Sequence, residues 1–167
     1  MVELTDFELP NVTTAFDPFQ LLDYAADPDR KALVLLFLRD YHCPKCRNQV
    51  ETIAERYEEF EARNADVVAV LPEPVDRTRT WAKSSELPFP LLADGSKTVG
   101  EQYDQPTRFG ALGGLHDMIG RMPEVVVIDA TATEPVVDSV YRGNSLGDRP
   151  SVAELLARID SIRSVEA

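Results

Sequence analysis

The sequence is poor in the residues that scaffolding and metal chemistry draw on: among 167 residues it has two cysteines, two histidines and one tryptophan. Two cysteines exclude a disulfide-stapled mini-domain. A chain of this length does not need one, because it buries roughly two-thirds of the surface that its unfolded form exposes. Basic residues are also scarce, with 17 Lys and Arg against 29 Asp and Glu and a net charge of -12. Such a surface repels a phosphate backbone and an anionic membrane alike, so neither nucleic acid nor a membrane is expected as a partner. The acids are scattered, with Glu55, Glu58, Glu59 and Glu61 on one expected helix and Asp17, Asp27, Asp29, Asp104 and Asp148 elsewhere. They read as a solvated surface, not as an acidic tail. There is no long hydrophobic run: the longest, Ala32 to Leu38, is too short to cross a bilayer. Residues Met1 to Asp6 have no basic region and no apolar stretch after them, so no signal peptide is expected. Without a repeat or a linker, the expectation is one soluble, cytoplasmic domain over residues 1–167. Thiols in that compartment are normally kept reduced, so two cysteines spaced CxxC point to redox or metal chemistry more than to a permanent crosslink.

The apolar runs that are present set out an alternating order of elements. Ala32 to Leu38 is continuous, as expected of a strand covered on both faces. Val50, Ile53, Ala54, Tyr57 and Phe60 then recur at helical spacing, with Gln49, Glu51, Glu55 and Glu58 on the other face, which predicts a long amphipathic helix from Pro44. Asp66 to Leu71 reads as a second buried strand, Val75 to Ser85 as a helix, and Leu87 to Leu92 as a short strand broken by prolines. Lys97 to Tyr103 suggests a further helical turn or two, and the glycine-bearing stretch Gln105 to Gly120 a loop. Glu124 to Ile128 and Pro135 to Tyr141 read as an antiparallel pair at one edge. A helix from Ser151 to Ile162 closes the order, with Ser151 and Glu154 resembling a capping box. This order predicts an α/β fold, a three-layer α/β/α sandwich with a mixed central sheet.

The chemistry is concentrated in Cys43-Pro44-Lys45-Cys46, between the first buried strand and its helix. Two cysteines at a helix start lie on one turn, close enough to interconvert between dithiol and disulfide. The free N-H groups and the positive end of the helix dipole favour a thiolate there, which assigns Cys43 as the attacking sulfur and Cys46, one turn further in, as the resolving one. Lys45 favours the thiolate, and Asp40 opposes it if its carboxylate lies close. His42 is a candidate acid or base or a solvent-facing ring; Tyr41 either packs beside the thiols or belongs to the core. A zinc site is the alternative use of a CxxC pair, with His42 and His116 as the other soft ligands, and a redox-inert interaction module is a third reading. A purely structural disulfide would close too short a loop to stabilise much.

The segment Phe37 to Arg47 resembles the active site of peroxiredoxin-like, AhpC/TSA-type proteins, which have the thioredoxin fold. Asp6 to Pro10 resembles their opening strand, Leu87 to Asp94 their LPFPLLSD-like segment, and Arg121 to Asp129 the strand that ends in Ile-Asp. The resemblance implies a thioredoxin-like sandwich and a thiol-based oxidoreductase with no cofactor and no metal. Two positions depart from the family's PxxxTxxC peroxide motif: Asp40 stands at the Thr position and Leu36 at the Pro position. Pro123 stands where the family's later Arg is expected, with Arg121 as a shifted substitute and Arg39 as another candidate for a peroxide pocket. A proline at that point matches the cis-proline that faces the CxxC in thioredoxins, so Met122-Pro123 is expected as a cis bond presenting backbone groups to substrate. The thioredoxin proton acceptor falls at Phe37; Glu124 is a conceivable substitute, although a solvent-facing strand residue is expected there. The resemblance leaves the activity open; disulfide exchange is the first expectation, with Cys43 and Cys46 catalytic and Tyr41, Arg121, Met122 and Pro123 at the substrate. The alternative is a thiol-dependent peroxidase. The partners implied are a protein or small-molecule disulfide, or a peroxide, together with a thiol reductant such as a thioredoxin-type protein.

Overall fold

The structure, a computed structural model, describes residues 3–13, 16–105, 122–143 and 148–166. A five-stranded mixed sheet forms the middle layer. Its strands are β3 (Ala32–Phe37), β4 (Ala65–Leu71), β5 (Leu91–Ala93), β6 (Glu124–Asp129) and β7 (Val136–Arg142), in the order β5-β4-β3-β6-β7. β3 pairs parallel to β4 and antiparallel to β6, and β7 closes one edge antiparallel to β6. Every residue of β3 and β4 is buried, which is why their sequences are continuous apolar runs with little alternation.

The β3 side chains split by parity between two cores. Ala32, Val34, Leu36 and Leu38 pack with Val125 and Val127 of β6, under the long helices. These helices are α2 (Pro44–Glu55), α3 (Tyr57–Glu61), α4 (Val75–Lys83) and α6 (Val152–Glu166), which contribute Val50, Ile53, Phe60, Trp81, Leu155 and Ile159. Leu33, Leu35 and Phe37 face the opposite way with Val126 and Ile128. That side is covered by the small hairpin of β1 (Glu8–Leu9) and β2 (Phe19–Gln20) and by the short helices α1 (Leu21–Ala25) and α5 (Thr98–Gln102). The three-layer α/β/α sandwich is thus present.

Three local expectations need correction. The helix that starts at Pro44 ends at Glu55, and Arg56, with φ -111 and ψ 18, separates it from α3. The segment Leu87 to Leu92 contributes only Leu91 and Leu92 to the three-residue strand β5, because Pro88 and Pro90 withhold the N-H groups a ladder needs. The exposed side of that strand is covered by the N-terminal segment, where Val12 N donates to Leu91 O and Ala93 N to Pro10 O, both at 3.0 Å. Third, among the described residues the cis X-Pro bond lies at Asp17-Pro18 and not at Met122-Pro123. Pro123 instead leads in trans into β6, its carbonyl accepting from Gly143 N at 3.2 Å.

Candidate active site

β3 ends at Phe37, and the chain turns through Arg39 to His42 before α2 begins. Cys43 is the N-cap of α2: its backbone is extended, with φ -81 and ψ 102, and its sulfur accepts from Cys46 N at 3.1 Å. Pro44 follows at the first helical position, where its missing N-H removes no helical bond. Cys43 and Cys46 form a disulfide, with their Cα atoms 5.3 Å apart. Both are buried, at 1% and 0% exposure, and Arg39 N donates to Cys46 Sγ at 3.3 Å.

The turn before Cys43 is held by carboxylates. Asp40 is buried, accepts from His42 N at 2.8 Å and pairs with Arg39 Nη1 at 3.3 Å. Its charge is therefore spent on the loop backbone and on Arg39, which blunts the opposition to a thiolate expected from it. Glu73 Oε1 accepts from Tyr41 N at 3.2 Å, while its Oε2 accepts from Arg77 Nε at 3.1 Å. The Arg77 guanidinium lies 4.3 Å from the Tyr41 ring centroid and its Nη2 is 3.4 Å from His42 Nε2. Tyr41 is half-buried and packs against the helical core.

The group that touches both sulfurs went unnoticed in the sequence. Arg149 Nη2 lies 3.2 Å from Cys46 Sγ and 3.5 Å from Cys43 Sγ, and its Nη1 donates to Gln49 Oε1 at 2.6 Å. Burial, and then the charge of Arg39, push the Arg149 guanidinium down to about 10, which leaves it cationic at neutral pH. Gln49, expected on the solvent face of α2, is 8% exposed. Its position three residues after Cys46 puts it one turn along the same face, which is the signal that could have found it. For Arg149, some 103 residues beyond Cys46, no local signal exists.

The remaining expected site residues are placed unequally. Met122 and Pro123 are buried, and alternation along β6 puts Pro123 on the face of Val125 and Val127, in whose cluster both cysteines lie. Met122 O accepts from Gln105 Nε2 at 3.1 Å, and the same nitrogen donates to Leu38 O at 3.1 Å, tying this segment to the end of β3. Arg121, His116 and most of the expected loop, residues 106–120, lie outside the described residues. Glu124 is not solvent-facing: it is 1% exposed and shares the Phe37 face of the sheet, opposite the cysteines. Burial raises its carboxyl to about 7, with Arg142 pulling it down and Asp104 pushing it further up. It is therefore on the wrong face to serve as the proton acceptor for Cys46.

A family model described as the AhpC/TSA family matches residues 2–133. The chain is 27% identical over 154 residues to the chloroplastic peroxiredoxin Q of Sedum lineare, an alignment that covers 87% of this chain and 76% of that one. Other chloroplastic peroxiredoxins Q are matched over 39% to 65% of their own length. Among solved structures, peroxidoxin BcpB of Mycobacterium tuberculosis superposes with a TM-score of 0.74 at 22% identity, and the reduced 2-Cys peroxiredoxin of Plasmodium vivax with 0.78 at 18%. Each of these two superpositions covers 98% of this chain and 96% of the other, and supports the fold.

Proposed function

The chain belongs to the AhpC/TSA family, and we propose that within it the protein works as a thiol-disulfide oxidoreductase. Thiol-based redox chemistry is what the family and the Cys43–Cys46 pair have in common. The observation that carries the narrower reading is the placement of Arg149 against both sulfurs of a pair at a helix N-cap. A guanidinium there stabilises negative charge on whichever sulfur is the thiolate at a given step, which is the requirement of disulfide exchange. The Cys43 thiolate attacks a substrate disulfide, whose S–S bond breaks as one thiolate leaves. The Cys46 thiolate then attacks Cys43 Sγ and expels the second, leaving the protein disulfide and a substrate reduced by two electrons. A dithiol reductant of the thioredoxin type, in a cytoplasmic setting, restores the dithiol.

The names of the peroxiredoxin Q relatives favour a second reading, peroxide reduction, in which Cys43 becomes a sulfenic acid and Cys46 condenses with it to release water. Asp40 weighs against it. Where the peroxide motif has a hydroxyl, this chain has a carboxylate that only accepts and is already bonded to His42 N and Arg39.

Wild type, Cys43→Ser and Cys46→Ser decide between them when each is assayed for reduction of a disulfide and for consumption of peroxide. Disulfide reduction that depends on Cys43, with a mixed disulfide trapped on Cys43 in Cys46→Ser, is the expected result. Fast Cys43-dependent peroxide turnover with little disulfide reduction reverses the ranking, and activity independent of Cys43 in both assays ends the redox reading.

A further inference from the structure

Beside the disulfide, between α2 and the start of α6, lies a cavity of about 260 Å³. Its walls include Lys45, Gln49, Thr52 and Arg149, with Ile53 and Val152 as the apolar part. In a chain of net charge -12, this lining has two cations and, among the described residues, no carboxylate. Glu154, two residues beyond the groove lining, is bonded to Ser151 N and Oγ in the capping box of α6.

The Gln49 amide is the second observation. Its Oε1 is held by Arg149 Nη1, which turns Nε2 the other way, and this nitrogen is buried with no hydrogen-bond partner. A buried amide that is left unmatched lowers stability. An acceptor group from a bound molecule would satisfy it. Gln49, Lys45 and Arg149 line one groove, and the guanidinium of Arg149 reaches from it to both sulfurs.

We propose that this groove seats the non-reacting part of a small-molecule disulfide that carries a carboxylate. The proposal rests on the disulfide-exchange reading and names its substrate class. Size supports it, since hydrogen peroxide, scarcely larger than a water with its ~30 Å³ share of liquid, has no use for a cavity many times that volume. The carboxylate meets Lys45 and the free Gln49 amide, the aliphatic stem lies on Ile53 and Val152, and the S–S bond is delivered along Arg149 to Cys43. Two electrons pass from the dithiol to the substrate, whose two thiolates take protons from solvent, and the dithiol reductant named above completes the turnover.

The test compares kcat/KM at fixed ionic strength for three probes: glutathione disulfide, which is anionic; bis(2-hydroxyethyl) disulfide, which is neutral; and cystamine, which is cationic. Wild type is expected to favour the anionic probe over the neutral one by about tenfold, the equivalent of one favourable ionic contact. Thr52→Glu, which adds an acid on the exposed groove wall, should bring that ratio to about one, and Thr52→Lys should raise it. Arg79→Glu, an exposed charge change on α4 away from the groove, should leave the ratio alone. As a readout independent of turnover, glutathione disulfide titrated into the oxidised protein should shift the Gln49 side-chain amide resonances. Equal, Cys43-dependent reduction of all three probes, a preference for cystamine, or an unmoved Gln49 amide overturns the groove assignment while leaving disulfide exchange standing. No reduction of any probe by wild type overturns both.

Discussion

Neutralising Glu124 should flatten the pH dependence of stability, and the size of the effect can be worked from its surroundings. Glu124 opens β6, pairs with Phe37 on one side and Arg142 on the other, and is 1% exposed. Among the described residues its one ion pair, to Arg142 Nε at 3.3 Å, is with a side chain 40% exposed, so the countercharge is screened by water. The balance raises the carboxyl from its ordinary 4.5 to about 7, chiefly through burial. Between those values the folded state keeps a proton that the unfolded state has lost, so stability falls as pH rises. The slope is 1.36 kcal/mol per pH unit, and over this window the total is about 3 kcal/mol. The stabilising effect of the protonated carboxyl is complete below pH 4.5 and gone above 7. Glu124→Gln keeps the shape and removes the charge. Denaturant unfolding of both proteins from pH 4.5 to 8 should therefore show wild type losing stability relative to the variant by about 3 kcal/mol across that range. Parallel curves for the two proteins, or a Glu124 carboxyl resonance that titrates below pH 5.5, would refute the reasoning.

Two further outcomes follow from named contacts. Arg149→Met removes the cation 3.2 and 3.5 Å from the sulfurs and should slow alkylation of reduced Cys43 by about tenfold at pH 7, with Arg149→Lys falling between; equal rates in all three proteins would remove Arg149 from the chemistry. At the opposite end of the sheet, Asp66 accepts from Tyr24 and Tyr57 hydroxyls and from Val67 N at 2.7 Å, and pairs with Arg30. Asp66→Asn should lower the unfolding free energy by about 1–3 kcal/mol and leave the Cys43 alkylation rate unchanged, as a denaturation curve and a thiol assay on the same sample will show.

What the sequence makes legible depends on whether the signal is local. β3, β4 and β6 are nearly continuous apolar runs because each is covered on both faces, so composition alone marks them. The motif at the start of α2 is equally plain, since the N-cap, the proline and both cysteines fall within four residues. β2 and α1 escaped notice because two strand residues and five helical ones are too few to show a period. The break at Arg56 has neither glycine nor proline to announce it. Glu124 misled for a different reason: a charged residue at a strand start ordinarily faces water, and only the register against Phe37 and Arg142 shows it buried.

Arg149 and Gln49 show why the site itself was half legible. Gln49 is fixed relative to the cysteines by α2, whereas Arg149 arrives from the segment before α6 and is seated by its bond to Gln49. The guanidinium is 0.3 Å nearer to Cys46, at 3.2 Å against 3.5 Å for Cys43. That asymmetry bears on the order of events. Once Cys43 is tied up in a mixed disulfide, the charge that must be stabilised is on Cys46, the sulfur with 0% exposure and therefore without water to help it. The Cys46 N-H at the helix N-terminus acts on Cys43 and Arg39 N on Cys46, while Arg149 reaches both sulfurs. Each step of the exchange thus has its own backbone donor and shares one guanidinium, and the donors at Cys43, read from the CxxC alone, account for only part of the first.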